Sequence, residues 1–215
     1  MNPDQSTRTP ESVLRLLLVD DHAVMPSGLA NMLSARAEFE VVAEAGNGRE
    51  AIELHKKHKP DLTLLDVVMP DIGGIECLRL IKESAPESLV LMLSSSELEH
   101  DIFQAMEGGA DGYITKTASP AELVQSIFAV ASGESYISDE ISRRLSDYSN
   151  APQLSPRELE VIHLLRHGMS NAKIGEELGI TPRTAKAHVA SILLKLGAKD
   201  RTEAVAHGFE QGLLR

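Results

Sequence analysis

Residues 16–21 read Leu-Leu-Leu-Val-Asp-Asp, and residues 62–66 read Leu-Thr-Leu-Leu-Asp. Each apolar run is short and continuous, which is typical of a strand buried on both faces of a parallel sheet. In open α/β sheets, ligands bind at the carboxyl ends of such strands. We therefore expect Asp20, Asp21 and Asp66 to converge at one edge of a sheet. Their charges would repel each other there unless a hard divalent cation lay among them.

Strand-like and helix-like segments alternate five times between residues 13 and 131. The predicted strands are Leu14–Val19, Glu40–Ala45, Leu62–Leu65, Leu89–Leu93 and Gly112–Thr115. Segments with helical spacing lie between them, and Ser119 caps one that begins with Pro120. Short connections between alternating elements predict an α/β fold with a doubly wound, five-stranded parallel sheet.

The last 62 residues have a different, all-helical pattern. Ser155 to Glu158 and Asp200 to Glu203 both match the capping box that opens a helix. A short helix, a turn at Gly179 and a longer helix ending at Leu196 predict a helix-turn-helix. We expect this motif to lie in a small all-α domain of four helices.

Acidic residues are concentrated in the front part of the chain. Counting Lys, Arg, Asp and Glu, residues 1–134 carry a net charge of −12, residues 135–151 carry −1 and residues 152–215 carry +2. This asymmetry argues for two domains with different partners. The predicted boundaries are a flexible tail at 1–12, a sheet domain at 13–133, a linker at 134–151 and a helical domain at 152–215.

The composition also bears on the cellular compartment. Cys77 is the sole cysteine, so no intrachain disulfide can form. No apolar run approaches membrane-spanning length, and the polar N-terminal residues lack a signal-peptide pattern. We expect a cytoplasmic protein with no membrane partner.

Four motifs follow one another at characteristic spacing: Leu18-Val19-Asp20-Asp21-His22, Leu65-Asp66-Val67-Val68-Met69-Pro70, Gly108-Gly109-Ala110-Asp111-Gly112-Tyr113 with Lys116, and Leu154-Ser155-Pro156-Arg157-Glu158. With them, the chain resembles the NarL/FixJ family of two-component response regulators from Val13 to Leu214. The resemblance implies a flavodoxin-like receiver domain at 13–133 and a LuxR-type DNA-binding domain at 152–215. It implies a sensor histidine kinase and double-stranded DNA as partners, and a homodimer formed on phosphorylation or on DNA. It implies a regulator rather than an enzyme.

The resemblance also implies roles for the acidic residues. Asp66 matches the family's phospho-acceptor. Asp21 and Asp66 match direct Mg²⁺ ligands, together with the backbone carbonyl of Val68, and Asp20 matches a ligand that acts through water. A carboxylate that attacks phosphorus needs its competing negative charges neutralised, and a cation with a nearby lysine supplies this.

Three further receiver residues match positions that respond to phosphorylation in the family. Ser94 matches the switch hydroxyl, Tyr113 the switch aromatic and Lys116 the active-site lysine. The chemistry agrees, because the oxygens of an acyl phosphate need new donors, and a hydroxyl and an ammonium are suitable.

The longer helix of the helix-turn-helix is expected to enter the major groove. By resemblance, Lys186, Ala187 and Ala190 occupy the family's DNA-contact positions. The hydroxyls of Thr181 and Thr184 are placed to donate to phosphates at the helix end. Because the alanines offer methyl contacts alone, direct readout would depend on Arg183 and Lys186 together with DNA shape.

Two alternatives remain open at this stage. A haloacid-dehalogenase-like phosphotransferase also uses an aspartate nucleophile and Mg²⁺, but Val68 stands where that class carries a second aspartate. A phosphorylation-independent DNA-binding regulator would use its receiver only for dimerisation or interaction, and the intact acidic motif argues against it.

Overall fold

A computed structural model describes residues 13–21, 25–95, 98–150 and 153–214. Their contacts divide them into two compact units, one formed by the residues up to 95 with 104–138, the other by 98–103 with 139–214. The predicted tail at 1–12 and the motif residue His22 lie outside the described residues. Among the helices that are described, none has the length and apolar content needed to cross a membrane.

A parallel sheet forms the centre of the first unit. Its strands are β1 (Leu14–Val19), β2 (Phe39–Ala45), β3 (Leu62–Asp66), β4 (Leu89–Ser94), β5 (Gly112–Thr115) and β6 (Tyr136–Ile137). Their order across the sheet is β2-β1-β3-β4-β5-β6, and each pair of neighbours is parallel. This order, with helices between successive strands, confirms the doubly wound α/β fold.

The number of strands predicted from the sequence was wrong by one. Strand β6 pairs with β5, with Tyr136 opposite Gly112 and Ile137 opposite Tyr113. It lies in the segment that was predicted to be a linker. A two-residue strand has no periodicity, and its pairing with β5 alone defines it.

Five helices lie between the strands: α1 (Met25–Ser34), α2 (Gly48–His58), α3 (Gly74–Ser84), α4 (Glu99–Glu107) and α5 (Pro120–Ala131). All but α4 belong to the first unit, whereas residues 99–103 of α4 are grouped with the second. As predicted, Ser119 caps α5, because its hydroxyl accepts a 3.2 Å hydrogen bond from the backbone N–H of Glu122. One face of the sheet packs against α1 and α5 through residues such as Leu33 and Ile127, which are fully buried. Strand β3 is buried along its whole length, as the continuous apolar run indicated.

The second unit is helical. Its helices are α6 (Asp139–Asn150), α7 (Pro156–Leu165), α8 (Asn171–Leu178), α9 (Pro182–Lys195) and α10 (Arg201–Glu210). The last four share one core, which includes Val161, Ile174 and Ile192, all at 0% exposure. In the same unit the ring of Tyr148, on α6, lies 5.6 Å from the ring of Phe103.

One of the two predicted capping boxes forms. The hydroxyl of Ser155 accepts from the N–H of Glu158, while the Glu158 carboxylate accepts from the N–H of Ser155 at 2.7 Å. The capping box predicted from Asp200 to Glu203 was wrong in one of its two hydrogen bonds. Asp200 does cap α10, but the Glu203 carboxylate accepts from the N–H of Lys199 at 2.6 Å rather than from Asp200.

Candidate functional site

The three aspartates converge as the strand pattern predicted. Asp20 directly follows β1 and Asp66 ends β3, and these two strands are adjacent in the sheet. One carboxylate oxygen of each of Asp20, Asp21 and Asp66 lies within 4.8 Å of the others. Asp20 and Asp66 are buried, whereas Asp21 is exposed. The cluster therefore opens to solvent on the Asp21 side.

Lys116 joins this cluster from the loop after β5. Its Nζ lies 2.5 Å from Oδ2 of Asp20 and 2.6 Å from Oδ2 of Asp66. Its backbone N–H donates to the carbonyl of Ser94 at 2.7 Å, which ties the loop to the end of β4. The side chain is 8% exposed, so the ammonium is held among the carboxylates rather than in water.

Burial and the neighbouring charges have opposite effects on the pKa values of Asp66 and Lys116. Burial raises the pKa of Asp66, and the hydrogen bond and charge of Lys116 offset part of that rise. Burial alone would lower the pKa of Lys116, but its hydrogen bonds to Asp20 and Asp66 raise it above the ordinary value. One ammonium faces three carboxylates, and a divalent cation would neutralise the excess negative charge. The oxygen donor set therefore fits Mg²⁺.

The loop after β3 shapes the approach to Asp66. The side chain of Val68 is 45% exposed, and its N–H donates to Oδ1 of Asp66 at 3.2 Å. Asp71 adopts a left-handed conformation with φ of 63°. At Gly74, a Cβ atom would lie 1.8 Å from the backbone oxygen of Asp66, so only glycine fits where α3 begins. Gly74 was not among the predicted site residues, although its position at the start of an apolar-periodic segment after Pro70 was a usable signal.

The two predicted switch residues are both fully buried. Ser94 is the last residue of β4 and pairs with Thr115, the residue before Lys116. Tyr113 lies two residues before Thr115 in β5, opposite Met92. The structure thus places Ser94 at the same edge of the sheet as the aspartates. Tyr113 lies further into the sheet.

In the second unit, α8 and α9 form the predicted helix-turn-helix. Gly179 ends α8 with φ of 64°, a conformation that suits glycine. Thr181 caps α9, and its hydroxyl accepts from the N–H of Thr184 at 3.1 Å. Both threonine side chains are exposed at the helix end.

The two faces of α9 differ in burial. The inner face consists of Ala185, Val189 and Ile192, with Leu196 just past the helix, and all four are buried. The outer face consists of five exposed residues: Arg183, Lys186, Ala187, Ala190 and Leu194. Leu194 is 84% exposed. Four of the predicted DNA-contact residues, Arg183, Lys186, Ala187 and Ala190, therefore share one solvent-facing surface, and Leu194, which was not predicted as a contact, lies beside them.

A buried carboxylate anchors α9 to the start of α7. The Glu158 side chain accepts from the hydroxyl of Ser191 at 2.5 Å and from Nζ of Lys195 at 2.7 Å. Burial would raise the pKa of Glu158, but the hydrogen bonds from Lys195, Ser191 and Ser155 lower it to about 2. From the sequence, Glu158 was predicted only as part of a capping box. The two partners on α9 have no sequence pattern that links them to it.

Comparison with known proteins agrees with this geometry. The model of the response regulator receiver domain matches residues 16–128, and the model of the luxR family of bacterial regulatory proteins matches residues 152–207. The response regulator protein VraR of Staphylococcus aureus is 35% identical over 207 residues, which cover 94% of this chain and 99% of VraR.

Solved structures show the same fold. A LuxR-family two-component response regulator from Aurantimonas sp. SI85-9A1 is 34% identical, with a TM-score of 0.61 over 64% of this chain and 99% of that chain. The two-component response regulator RcsB, in complex with DNA, is 22% identical, with a TM-score of 0.68 over 93% of this chain and 99% of that chain. At that identity the likeness to RcsB concerns the fold alone.

Replacing Asp66 with asparagine should stabilise the first unit when metal is absent. The change removes a buried negative charge from a cluster with excess negative charge and preserves the side-chain shape. We expect the midpoint of thermal unfolding in EDTA to rise by about 2–4 °C, equivalent to about 1 kcal/mol. Adding Mg²⁺ should raise the midpoint of the wild type more than that of the variant.

Asp71→Asn is the matched control, because it removes an exposed carboxylate from the same loop. It should leave both the midpoint and the effect of Mg²⁺ close to wild type. A lower midpoint for Asp66→Asn in EDTA would contradict the electrostatic account of the cluster.

Replacing Glu158 with glutamine should loosen α9. The pKa of Glu158 is lower in the folded state, so its carboxylate stabilises the fold at neutral pH, and this stabilisation is lost as the pH falls from about 4.5 towards 2. We expect Glu158→Gln to cost about 2–3 kcal/mol at pH 7. Amide hydrogen exchange in α7 and α9 measures the local loss.

Glu160→Gln, on the exposed side of α7, should change the same amides little. The difference between the two variants should shrink as the pH is lowered through 4. A difference that grows on acidification would show that the Glu158 carboxylate does not stabilise α9.

Proposed function

Because the chain belongs to the NarL/FixJ family of two-component response regulators, with a receiver domain and a LuxR-type helix-turn-helix, we propose that it is a transcription regulator controlled by phosphorylation. A sensor histidine kinase supplies a phosphoryl group to Asp66, and a homodimer binds double-stranded DNA through α9. The observation that carries the proposal is the buried pairing of Asp66 with Lys116 beside two further aspartates.

Phosphoryl transfer to Asp66 requires one bond to form and one to break. An oxygen of the Asp66 carboxylate attacks the phosphorus of the kinase phosphohistidine, the P–O bond forms, and the P–N bond breaks as the imidazole leaves and takes up a proton. Asp20, Asp21, Asp66 and the carbonyl of Val68 would hold Mg²⁺, which neutralises charge on the transferred group. Lys116 lies within 2.6 Å of Asp66 and can then pair with a phosphoryl oxygen.

Phosphorylation would act on the fold through the end of β4. The hydroxyl of Ser94 lies at the strand end nearest the acidic cluster and would donate to a phosphoryl oxygen. This new bond would draw the following loop towards Asp66, and Tyr113 on the neighbouring strand would respond to that shift. The hydrogen bond between the Lys116 N–H and the Ser94 carbonyl supports this coupling, because it joins the two loops that would move.

DNA binding would use the outer face of α9. Arg183 and Lys186 supply positive charge on an otherwise apolar surface, and the hydroxyls of Thr181 and Thr184 would contact phosphates at the helix end. Lys186, Ala187 and Ala190 would face base edges in the major groove. Two copies would read a two-fold site, with half-sites separated by about one helical turn of DNA.

Labelling with a small phosphoryl donor tests the acceptor. Wild-type protein incubated with acetyl phosphate and Mg²⁺ should gain one phosphoryl group that hydroxylamine removes, since acyl phosphates are labile to that nucleophile. Asp66→Asn should gain none, because the amide lacks the nucleophilic oxygen, while Asp71→Asn should label like wild type. Intact-protein mass spectrometry measures the added mass.

The outcomes distinguish the alternatives. Labelling of Asp66→Asn at the wild-type rate would remove Asp66 as the acceptor. A wild-type protein that takes no label from acetyl phosphate or from a histidine kinase would be a regulator that works without phosphorylation.

Replacing Lys186 with alanine should weaken DNA binding. We expect a loss of about 1–3 kcal/mol and relaxed discrimination at one base position if Lys186 contacts a base. If it contacts phosphate alone, the loss should be uniform across sequences, and the salt slope should fall by about one. Titration of a selected duplex at several salt concentrations separates these results.

Lys199→Ala is a charge-matched control outside α9, with a side chain that is 89% exposed. Losing Lys199 should cost less affinity than losing Lys186 and should leave sequence preference unchanged. An equal effect of both variants would show that net charge, rather than the α9 face, governs binding.

A further inference from the structure

The outer face of α9 carries an apolar row that its own domain leaves uncovered. We call Ala187, Ala190 and Leu194 the methyl stripe. All three are exposed. Leu194 is 84% exposed, whereas the other exposed large apolar side chains among the described residues are 45–49% exposed: Val13, Val68 and Phe209. Such a leucine gains nothing from the hydrophobic effect unless a partner covers it.

Helical spacing places the methyl stripe on one line. Ala187, Ala190 and Leu194 follow one another at intervals of three and four residues, and Arg183 begins the same row one turn earlier. The buried row of α9 faces the other way, into the core of the second unit. The methyl stripe therefore cannot turn inward without exposing residues such as Ile192, which is 0% exposed.

The charge beside the methyl stripe selects the kind of partner. Arg183 and Lys186 are both exposed on the same face of α9, so the surface that covers the stripe should be apolar in places and anionic at its margins. The major groove of DNA meets both requirements, because its phosphates are anionic and thymine presents a C5-methyl group at its base edge. An apolar patch on another protein would provide the apolar contact but not the anionic margin.

The length of the methyl stripe limits how many bases it can touch. From Ala187 to Leu194 the helix rises about 10 Å, at roughly 1.5 Å per residue. Base pairs are stacked about 3.4 Å apart. The stripe therefore spans about three base-pair steps when it lies along the groove.

We propose that the methyl stripe is a specificity-determining surface that recognises the C5-methyl groups of thymines in each half-site. The inference rests on the proposed DNA-binding function and adds a base preference to it. Alanine and leucine offer no hydrogen-bond donor or acceptor, so discrimination at these positions depends on apolar contact. Thymines should be enriched within about four consecutive base pairs under the C-terminal part of α9.

Replacing thymine with uracil tests the proposal directly. The phosphorylated full-length chain first selects its preferred sites from a random duplex library. Each thymine of a selected site is then replaced by uracil, which removes the methyl group and keeps the hydrogen-bonding edges. We expect about a fourfold loss of affinity for each contacted methyl group, from the burial free energy of one carbon.

A pair of variants assigns the effect to the methyl stripe. Leu194→Gln keeps a similar helix propensity but replaces the apolar end of the side chain with an amide, so it should abolish the uracil penalty at one position in each half-site. Phe209→Gln removes a half-exposed apolar side chain from α10 and should keep the uracil penalty at every position, whatever its effect on affinity.

The outcomes separate this inference from the function on which it rests. If the chain selects defined sites and uracil leaves every affinity within twofold, the inference is overturned and DNA binding stands. If Leu194→Gln retains the full penalty at every position, Leu194 has no part in the readout. If no duplex is enriched from the library, the inference and the proposed DNA-binding function fail together.

Discussion

The ion pairs of Lys116 with Asp20 and Asp66 are the interaction on which the receiver site depends. They connect the ends of β1, β3 and β5, since Asp20 follows β1, Asp66 ends β3 and Lys116 follows β5. Without Lys116, the carboxylates at this edge of the sheet would repel each other. A buried lysine contributes to the fold only when its partners are in place, and buried carboxylates require a cation for the same reason. A phosphoryl group on Asp66 would change this balance directly, since it adds negative charge where Lys116 is already shared between two acids. Under the proposed function, the electrostatics that hold the site together would make it respond to phosphorylation.

If Asp66 is phosphorylated as proposed, the pairing of neighbouring strands would carry the change at Asp66 to the end of β4. Leu93 lies opposite Asp66 in β4, and Ser94 follows it at the strand end. Ser94 is in turn paired with Thr115, and the Lys116 N–H bonds to the Ser94 carbonyl. Any displacement of Ser94 towards Asp66 must stretch or move that bond. The proposed coupling would thus follow backbone hydrogen bonds and would not require a long chain of side-chain contacts.

Much of this architecture could be predicted from the sequence because it depends on local patterns. Continuous apolar runs identified β1 and β3, and the carboxylates at their ends identified the acidic cluster. Contacts between distant segments could not be predicted in the same way. Strand β6 exists only through its pairing with β5, and Gly74 is required only because the backbone of Asp66 lies beside it. Glu203 has the spacing of a capping box, yet its carboxylate accepts a hydrogen bond from the N–H of Lys199 and not from that of Asp200. The spacing predicts which backbone N–H groups lie near the carboxylate, but it does not predict which of them donates.

In the helical unit, too, local patterns could be predicted from the sequence and contacts between distant segments could not. The difference matters for DNA recognition, because it concerns how α9 is held. The inner face of α9 was visible as an apolar row, but the bonds from Ser191 and Lys195 to Glu158 were not. These bonds lie on the same helix as an outer face with few polar atoms. A surface that recognises by methyl contact has no directional hydrogen bonds to correct a misplaced helix, so its discrimination depends on how firmly the helix is held. The buried Glu158 carboxylate holds α9 from inside the domain through Ser191 and Lys195, and it would supply the rigidity that the proposed readout by methyl contact needs.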